Sequence, residues 1–134
     1  MPELTFAIEP HPEDSYVRIR VRGRLTAPET RQTRARVIAD HPGLHRLWDF
    51  LEADLTAWSG DDMRMFIEVI ARSEPGDPTT RVAALVSREV DYGQARMFES
   101  LSCGTLPEQG KVFRNESEAI RWVSIGAERR PADD

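Results

Sequence analysis

The sequence is poor in the features that announce a chemistry. Its 134 residues include one cysteine, Cys103, which excludes an internal disulfide framework and fits a reducing compartment. No window approaches the ~18 consecutive apolar residues of a membrane span, so no integral membrane association is expected. Met1-Pro2-Glu3 has neither the basic region nor the apolar run of a secretory signal, which makes the cytoplasm the expected location. Positive charge is not in excess: a net charge of -5 argues against a general nucleic-acid binder. His41 and His45 are four apart, but Pro42 and Gly43 between them remove the helix face that this spacing needs to hold zinc. No Ser/His/Asp or Cys/His constellation can be assembled, and no Gly-rich phosphate loop is present. No catalytic residue, metal or cofactor is expected, and the chain is read as non-enzymatic.

What is present is periodicity. At 40% hydrophobic and 31% charged, the chain has enough apolar residues for one real core. The expected division is a single domain over residues 1–127 and a charged, frayed tail over residues 128–134. Leu4, Phe6 and Ile8 alternate with polar or small residues, and Val17, Ile19 and Val21 alternate with Arg18, Arg20 and Arg22. Period two predicts a pair of half-buried strands, with the first antiparallel at an edge. Thr26, Pro28 and Glu29 predict a capping box and a helix to about Asp40, stopped by His41-Pro42-Gly43. Leu47 to Leu51 is a third strand, apolar enough to be buried on both faces, with Asp49 in need of a partner.

Ser59, followed by Asp61 and Asp62, predicts a helix start, and Met63, Phe66, Ile67 and Ile70 have the spacing of its buried face. Val82 to Val86 reads as a central parallel strand. Tyr92 to Ser102 reads as a helix turning Ala95, Met97, Phe98 and Leu101 inward. Lys111 to Arg114 is a last short strand, and Asn115 caps a final helix that buries Ala119, Ile120, Trp122 and Val123. The order ββαβαβαβα predicts an α/β fold: a mixed, mostly parallel five-stranded sheet with helices on both faces.

Four segments carry a family resemblance. They are Val21-Arg22-Gly23-Arg24-Leu25-Thr26, Leu47-Trp48-Asp49-Phe50, the stretch from Asp91-Tyr92-Gly93-Gln94 through Ala95-Arg96-Met97-Phe98-Glu99, and Val112-Phe113-Arg114 running into Glu118-Ala119-Ile120-Arg121-Trp122. With them the chain resembles the SpoIIAA-like family of bacterial proteins, related to STAS domains and structurally to CRAL-TRIO lipid-carrier domains. The resemblance implies a regulatory interaction module that binds a protein partner or another copy of itself. The CRAL-TRIO relationship implies an alternative, a carrier or sensor of a small apolar or lipid-like ligand. Anti-sigma-factor antagonists among these relatives are switched by phosphorylation of a serine after the third strand. Counted without gaps, that serine falls on Trp58, and only Ser59-Gly60 matches the motif, so no phosphoswitch is expected.

Several residues remain candidates. Ser59 is a candidate phosphoacceptor, although Asp61 and Asp62 would repel a phosphate, and the N-cap reading is preferred. Asp49, Glu52, Asp54, Asp61 and Asp62 gather near one strand end without any recognised ligand spacing. Arg18, Arg20 and Arg22 share a sheet face, and carboxylate pairing is the preferred reading. Tyr92 and Arg96 are expected at the carboxyl end of the fourth strand and Trp58 at that of the third, where open α/β sheets place a crevice. Trp58, Tyr92 and Arg96 are therefore the candidate ligand- or partner-binding set.

Overall fold

A computed structural model describes residues 3–74 and 76–124. The expected tail at 128–134 and the domain end at 127 lie outside the described residues. The elements are β1 (Thr5–His11), a single 3-10 turn (Pro12–Asp14), β2 (Tyr16–Arg24), α1 (Ala27–Asp40), β3 (His45–Asp54), α2 (Gly60–Ser73), β4 (Arg81–Leu85), α3 (Glu89–Ser102), β5 (Gln109–Phe113) and α4 (Glu116–Val123). They form one five-stranded sheet in the order β1-β2-β3-β4-β5, antiparallel between β1 and β2 and parallel thereafter. The α/β class, the element order and the antiparallel edge strand are as the periodicity predicts.

The strand order determines where the helices lie. Each parallel crossover steps to the next strand in the same direction, and right-handed crossovers of this kind leave their helices on one face. The core divides accordingly. Val17, Ile19, Val21 and Trp48 pack with Met63, Phe66 and Ile70 of α2 and Ala95 of α3, with Val37 of α1 in the same cluster. Leu47, Ala83, Leu85 and Phe113 pack instead with Ala119 and Val123 of α4. Three helices thus cover one face and α4 covers the other. Register explains the division: Ile19, Trp48, Ala84 and Val112 line up across the sheet on the first face, and Arg18, Leu47, Ala83 and Lys111 on the second.

The helix starts show which local signals hold. Ser59 accepts from Asp62 N–H at 3.0 Å while Asp62 Oδ2 accepts from Ser59 N–H at 3.0 Å, a complete capping box. The bond from Ser59 N–H, and then the Ser59 hydroxyl, stabilise the ionised Asp62 carboxylate, whose pKa lies below the ordinary value. Asn115 caps α4 through Glu118 N–H. The box predicted at Thr26 does not form: the Thr26 hydroxyl donates to the Glu29 carboxylate, and no backbone donor of α1 is capped by it.

Other boundaries move by a few residues. β3 is longer than Leu47 to Leu51 because its ends pair with β2 at Tyr16 and Arg24. α3 begins at Glu89 rather than Tyr92, so its buried stripe runs through Asp91 and Ala95 to Phe98. Met97, expected inside, falls off that stripe and is 41% exposed. The last strand spans Gln109–Phe113, set by its ladder to β4, rather than Lys111 to Arg114.

Candidate functional site

The face under α1–α3 is not filled. Between the sheet and these helices lies a cavity of about 160 Å³. Its sheet wall includes Trp48 and Phe50 of β3, Val82 and Ala84 of β4, and Val112 of β5, with β3 and β4 contributing alternate residues. Its helix wall includes Met63 and Phe66 of α2 and Ala95 and Phe98 of α3. Small residues at Ala84 and Ala95 are among the walls.

Trp58 closes one end. It lies 7% exposed in the core, and its indole N–H donates to the Leu25 carbonyl at 3.1 Å. Its ring contacts Phe66 at 5.1 Å and Phe98 at 6.3 Å between centroids, in tilted and edge-on arrangements favoured by aromatic quadrupoles. The loop that carries it is pinned by α3. Asp91 Oδ1 accepts from Leu55 N–H at 3.0 Å, and the Gln94 amide donates to the Trp58 carbonyl at 2.5 Å and the Leu55 carbonyl at 3.3 Å. Asp91 is itself held by Arg88 at 2.6 Å. The segment from Asp91 to Ala95 thus positions Trp58 and supplies part of the cavity wall.

Trp58, Tyr92 and Arg96 do not line one surface. Trp58 is a buried wall of the cavity, whereas Tyr92 and Arg96 are not among its walls. Tyr92 is half-buried at the edge of the same core cluster, where Arg96 donates to its hydroxyl at 3.0 Å and the Arg114 guanidinium lies 4.2 Å from its ring centre. Arg96 also pairs with Glu99 at 2.9 Å. The expected crevice required α2 and α3 to diverge to opposite faces between β3 and β4. They lie on the same face, so the strand ends there are covered.

The opposite end of the cavity carries buried charge. Arg34 of α1, Arg46 of β3 and Glu108, just before β5, all line it, with side chains 6%, 7% and 5% exposed. Arg34 donates to both Glu108 oxygens, at 3.3 and 3.1 Å, and to the Glu74 carbonyl at 3.0 Å. Arg46 donates to Glu108 through Nη2, and its Nε is buried without a hydrogen-bond partner. Burial chiefly lowers the Arg46 pKa; Glu108 opposes this and Arg34 adds to it. A Cβ on Gly76 would overlap the Glu108 carboxylate, so glycine there leaves the acid its space.

Sequence reasoning passed over all three of these residues. The signal for two was present: Arg46 is two residues before Trp48 on the same strand face, and Arg34 is three before Val37 and four after Thr30 on one helix face.

The other candidates take ordinary places. Arg18 pairs with Asp49 at 2.7 Å and Glu116 at 2.8 Å, Arg20 with Glu9 at 2.8 Å, Arg22 with Glu52 at 3.5 Å and Arg24 with Asp54 at 3.9 Å. The arginine stripe is a set of carboxylate pairs. Among the described residues no group of three or more His, Cys, Asp and Glu side chains is placed for a metal. Ser59 is committed to its cap. His45 Nδ1 accepts from Arg81 N–H at 2.9 Å, and burial, with Arg81 and Arg46 nearby, lowers its pKa. Cys103 is exposed. No described helix is long and apolar enough to cross a membrane.

No protein-family model matches the chain, and no curated protein matches it significantly. Among solved structures, it is similar to an uncharacterised protein of the DUF3478 family with a SpoIIAA-like fold from Shewanella loihica PV-4. The identity is 21% and the TM-score 0.54, over 92% of this chain and 98% of that one. With the sheet order and helix placement described above, this likeness identifies the chain as a single α/β domain of SpoIIAA-like fold.

Proposed function

We propose that the protein is a carrier or sensor that binds a small, largely apolar molecule in the cavity beneath α1–α3. The cavity itself supports this reading. Protein interiors pack as densely as organic crystals and leave few voids larger than water. A cavity of roughly 150 Å³ with apolar walls accepts a guest the size of benzene. Trp48, Phe50, Trp58, Phe66 and Phe98 supply such walls.

The competing reading, a module for a partner protein or a second copy, has less behind it. The exposed large apolar side chains among the described residues are Leu51, Met65, Val90 and Met97. Isolated exposed apolar residues are ordinary, and stable interfaces engage ~20–30 residues a side. The lone exposed Cys103 fits work in a reducing compartment such as the cytoplasm.

The test is thermal melting of protein denatured and refolded to strip bound apolar molecules, in the presence of octanol or benzene. A saturable rise in Tm is expected for the wild type and none for Ala84→Leu, whose side chain occupies the cavity. No rise with either probe, or an equal rise in the variant, would contradict the proposal.

A further inference from the structure

We infer that the guest is a single-chain amphiphile, its apolar chain inside the cavity and its head in a mouth between α3 and β5 that Gly110 keeps clear. This rests on the cavity being a ligand site, and it adds the way in and the class of molecule.

The walls of the cavity grade from buried to open. Trp48, Trp58, Met63, Phe66 and Ile70 are buried. Along α3 the wall runs from Ala95, buried, to Phe98, Glu99 and Ser102, half-buried, spaced as one stripe of the helix. Leu106, in the loop after α3, is half-buried too, and Gly110 and Lys111 of β5 are exposed. Topology accounts for the gradient. β5 is an edge strand, with no described strand beyond it. After β5 the described chain crosses to the other face as α4 and adds no further cover to this edge.

Gly110 is the second observation. It aligns with Val82 of β4 and stands two residues before Val112, on the cavity face. A glycine inside a strand weakens it, and one use is the close approach of a ligand. Conformation does not require it, since positive φ occurs at Gly23, Gly43 and Gly104 but not at Gly110. Packing does not require it either: a Cβ there would meet only the Val82 carbonyl oxygen, at 3.9 Å, an ordinary contact. What the missing side chain leaves is clear space at the exposed rim.

The charges place the head outside. Arg34 and Arg46 share Glu108, and Glu74 stands 3.6 Å from Arg34, so two positive charges meet two negative ones. This buried set is closed and calls for no head group of either sign. At the rim, Glu99 pairs with Arg96 at 2.9 Å, and the Ser102 hydroxyl donates to the Glu99 carbonyl at 3.2 Å. A polar head at the rim keeps its water, which it would lose at a cost inside. The chain then runs from β5 past Ala84 toward Trp48, roughly 10 Å for two strand spacings of ~4.8 Å. The cavity limits the length of the chain, whereas the mouth leaves the size of the head free.

Isothermal titration of the refolded full-length chain with octanol and with octyl glucoside, kept below its micelle-forming concentration, tests this. Octyl glucoside is expected to bind within about threefold of octanol and to be displaced by it, because its bulky head stays outside. Gly110→Leu should fold with a Tm no lower than that of the wild type and lose at least tenfold in octyl glucoside affinity. Orientation is read with a nitroxide on Cys103, the single cysteine, which is exposed and adjoins Ser102. The label should relax the glucose protons of the bound molecule more strongly than its terminal methyl. If Gly110→Leu does not fold, the two wild-type measurements decide.

Octanol binding without octyl glucoside binding would overturn the amphiphile and leave an enclosed apolar site standing. Octyl glucoside binding equally to Gly110→Leu, or a terminal methyl relaxed more than the glucose, would overturn the mouth at β5. Binding of neither probe would overturn this inference and the ligand reading beneath it.

Discussion

Ala83 and Ala84 are neighbours on β4 and look into different halves of the molecule. Ala83 is fully buried in the cluster of Leu47, Leu85 and Phe113 with Ala119 and Val123 of α4. Ala84 faces the cavity. The same contrast appears in the buried arginines. Arg18, on the α4 face, meets both Asp49 and Glu116; burial works to lower its pKa, but the bonds to these acids outweigh it and leave the pKa raised. Arg46, on the other face, shares one acid with Arg34, and burial lowers its pKa. On the α4 face the buried arginine has two carboxylates of its own. The other face holds the cavity, and beside it two buried arginines share Glu108.

The largest effect should come from breaking the satisfied side. Asp49→Ala strands Arg18, whose side chain is as buried as its partner's. Removing one member of a buried pair costs ~3–5 kcal/mol, and about 3 kcal/mol is expected because Glu116 remains. Urea denaturation measures it, and a loss below 1 kcal/mol would mean that the pair is solvated. The two alanines come next. Ala83→Leu should destabilise by ~1–3 kcal/mol through overpacking, whereas Ala84→Leu should be neutral or stabilising. Equal losses in the two melts would show both faces to be equally full.

Much of the fold was legible because local rules and tertiary packing agree in it. Alternation in Val17, Ile19 and Val21 marks a half-covered strand, and Ser59 with Asp62 marks a helix start that the structure completes. Thr26 misled because a hydroxyl that donates to Glu29 does not cap the backbone. The site was much less legible. Trp58 was found, but as part of a crevice with Tyr92 and Arg96 rather than a core residue, since its partners Phe66, Phe98 and the Leu25 carbonyl come from three other segments. Arg34, Arg46 and Glu108 drew no notice, because arginine and glutamate are usually exposed. Missing volume has no local pattern at all: it arises only when the crossover brings Ala84 of β4 and Ala95 of α3 to the walls of one cavity.

Smaller effects sharpen the picture at its edges. Ser59→Ala should cost about 1 kcal/mol, the usual worth of an N-cap, with no change in octanol binding. A loss of binding would tie the α2 start to the cavity. At His45 the expectation is a slope. Its folded pKa lies below the ordinary value of 6.5, so the unfolded chain takes up the proton first as pH falls. The contribution is complete above about 6.5 and is lost as pH drops toward the folded value. His45→Asn keeps an acceptor for Arg81 N–H without titrating. Its stability should vary less than that of the wild type between pH 7.5 and 5.5, and parallel curves would contradict this.

The three tryptophans allow the most direct measurement. Trp48 and Trp58 line the cavity, and Trp122 packs beside Phe113 on the other face at 5.6 Å between ring centres. Protein labelled with fluorotryptophan, its resonances assigned by single Trp→Phe variants, is titrated with octanol and followed by fluorine NMR. The Trp48 and Trp58 signals should shift together and saturate while Trp122 stays in place. Movement of Trp122 alone, or no saturable movement of any of the three, would contradict a ligand site beneath α1–α3.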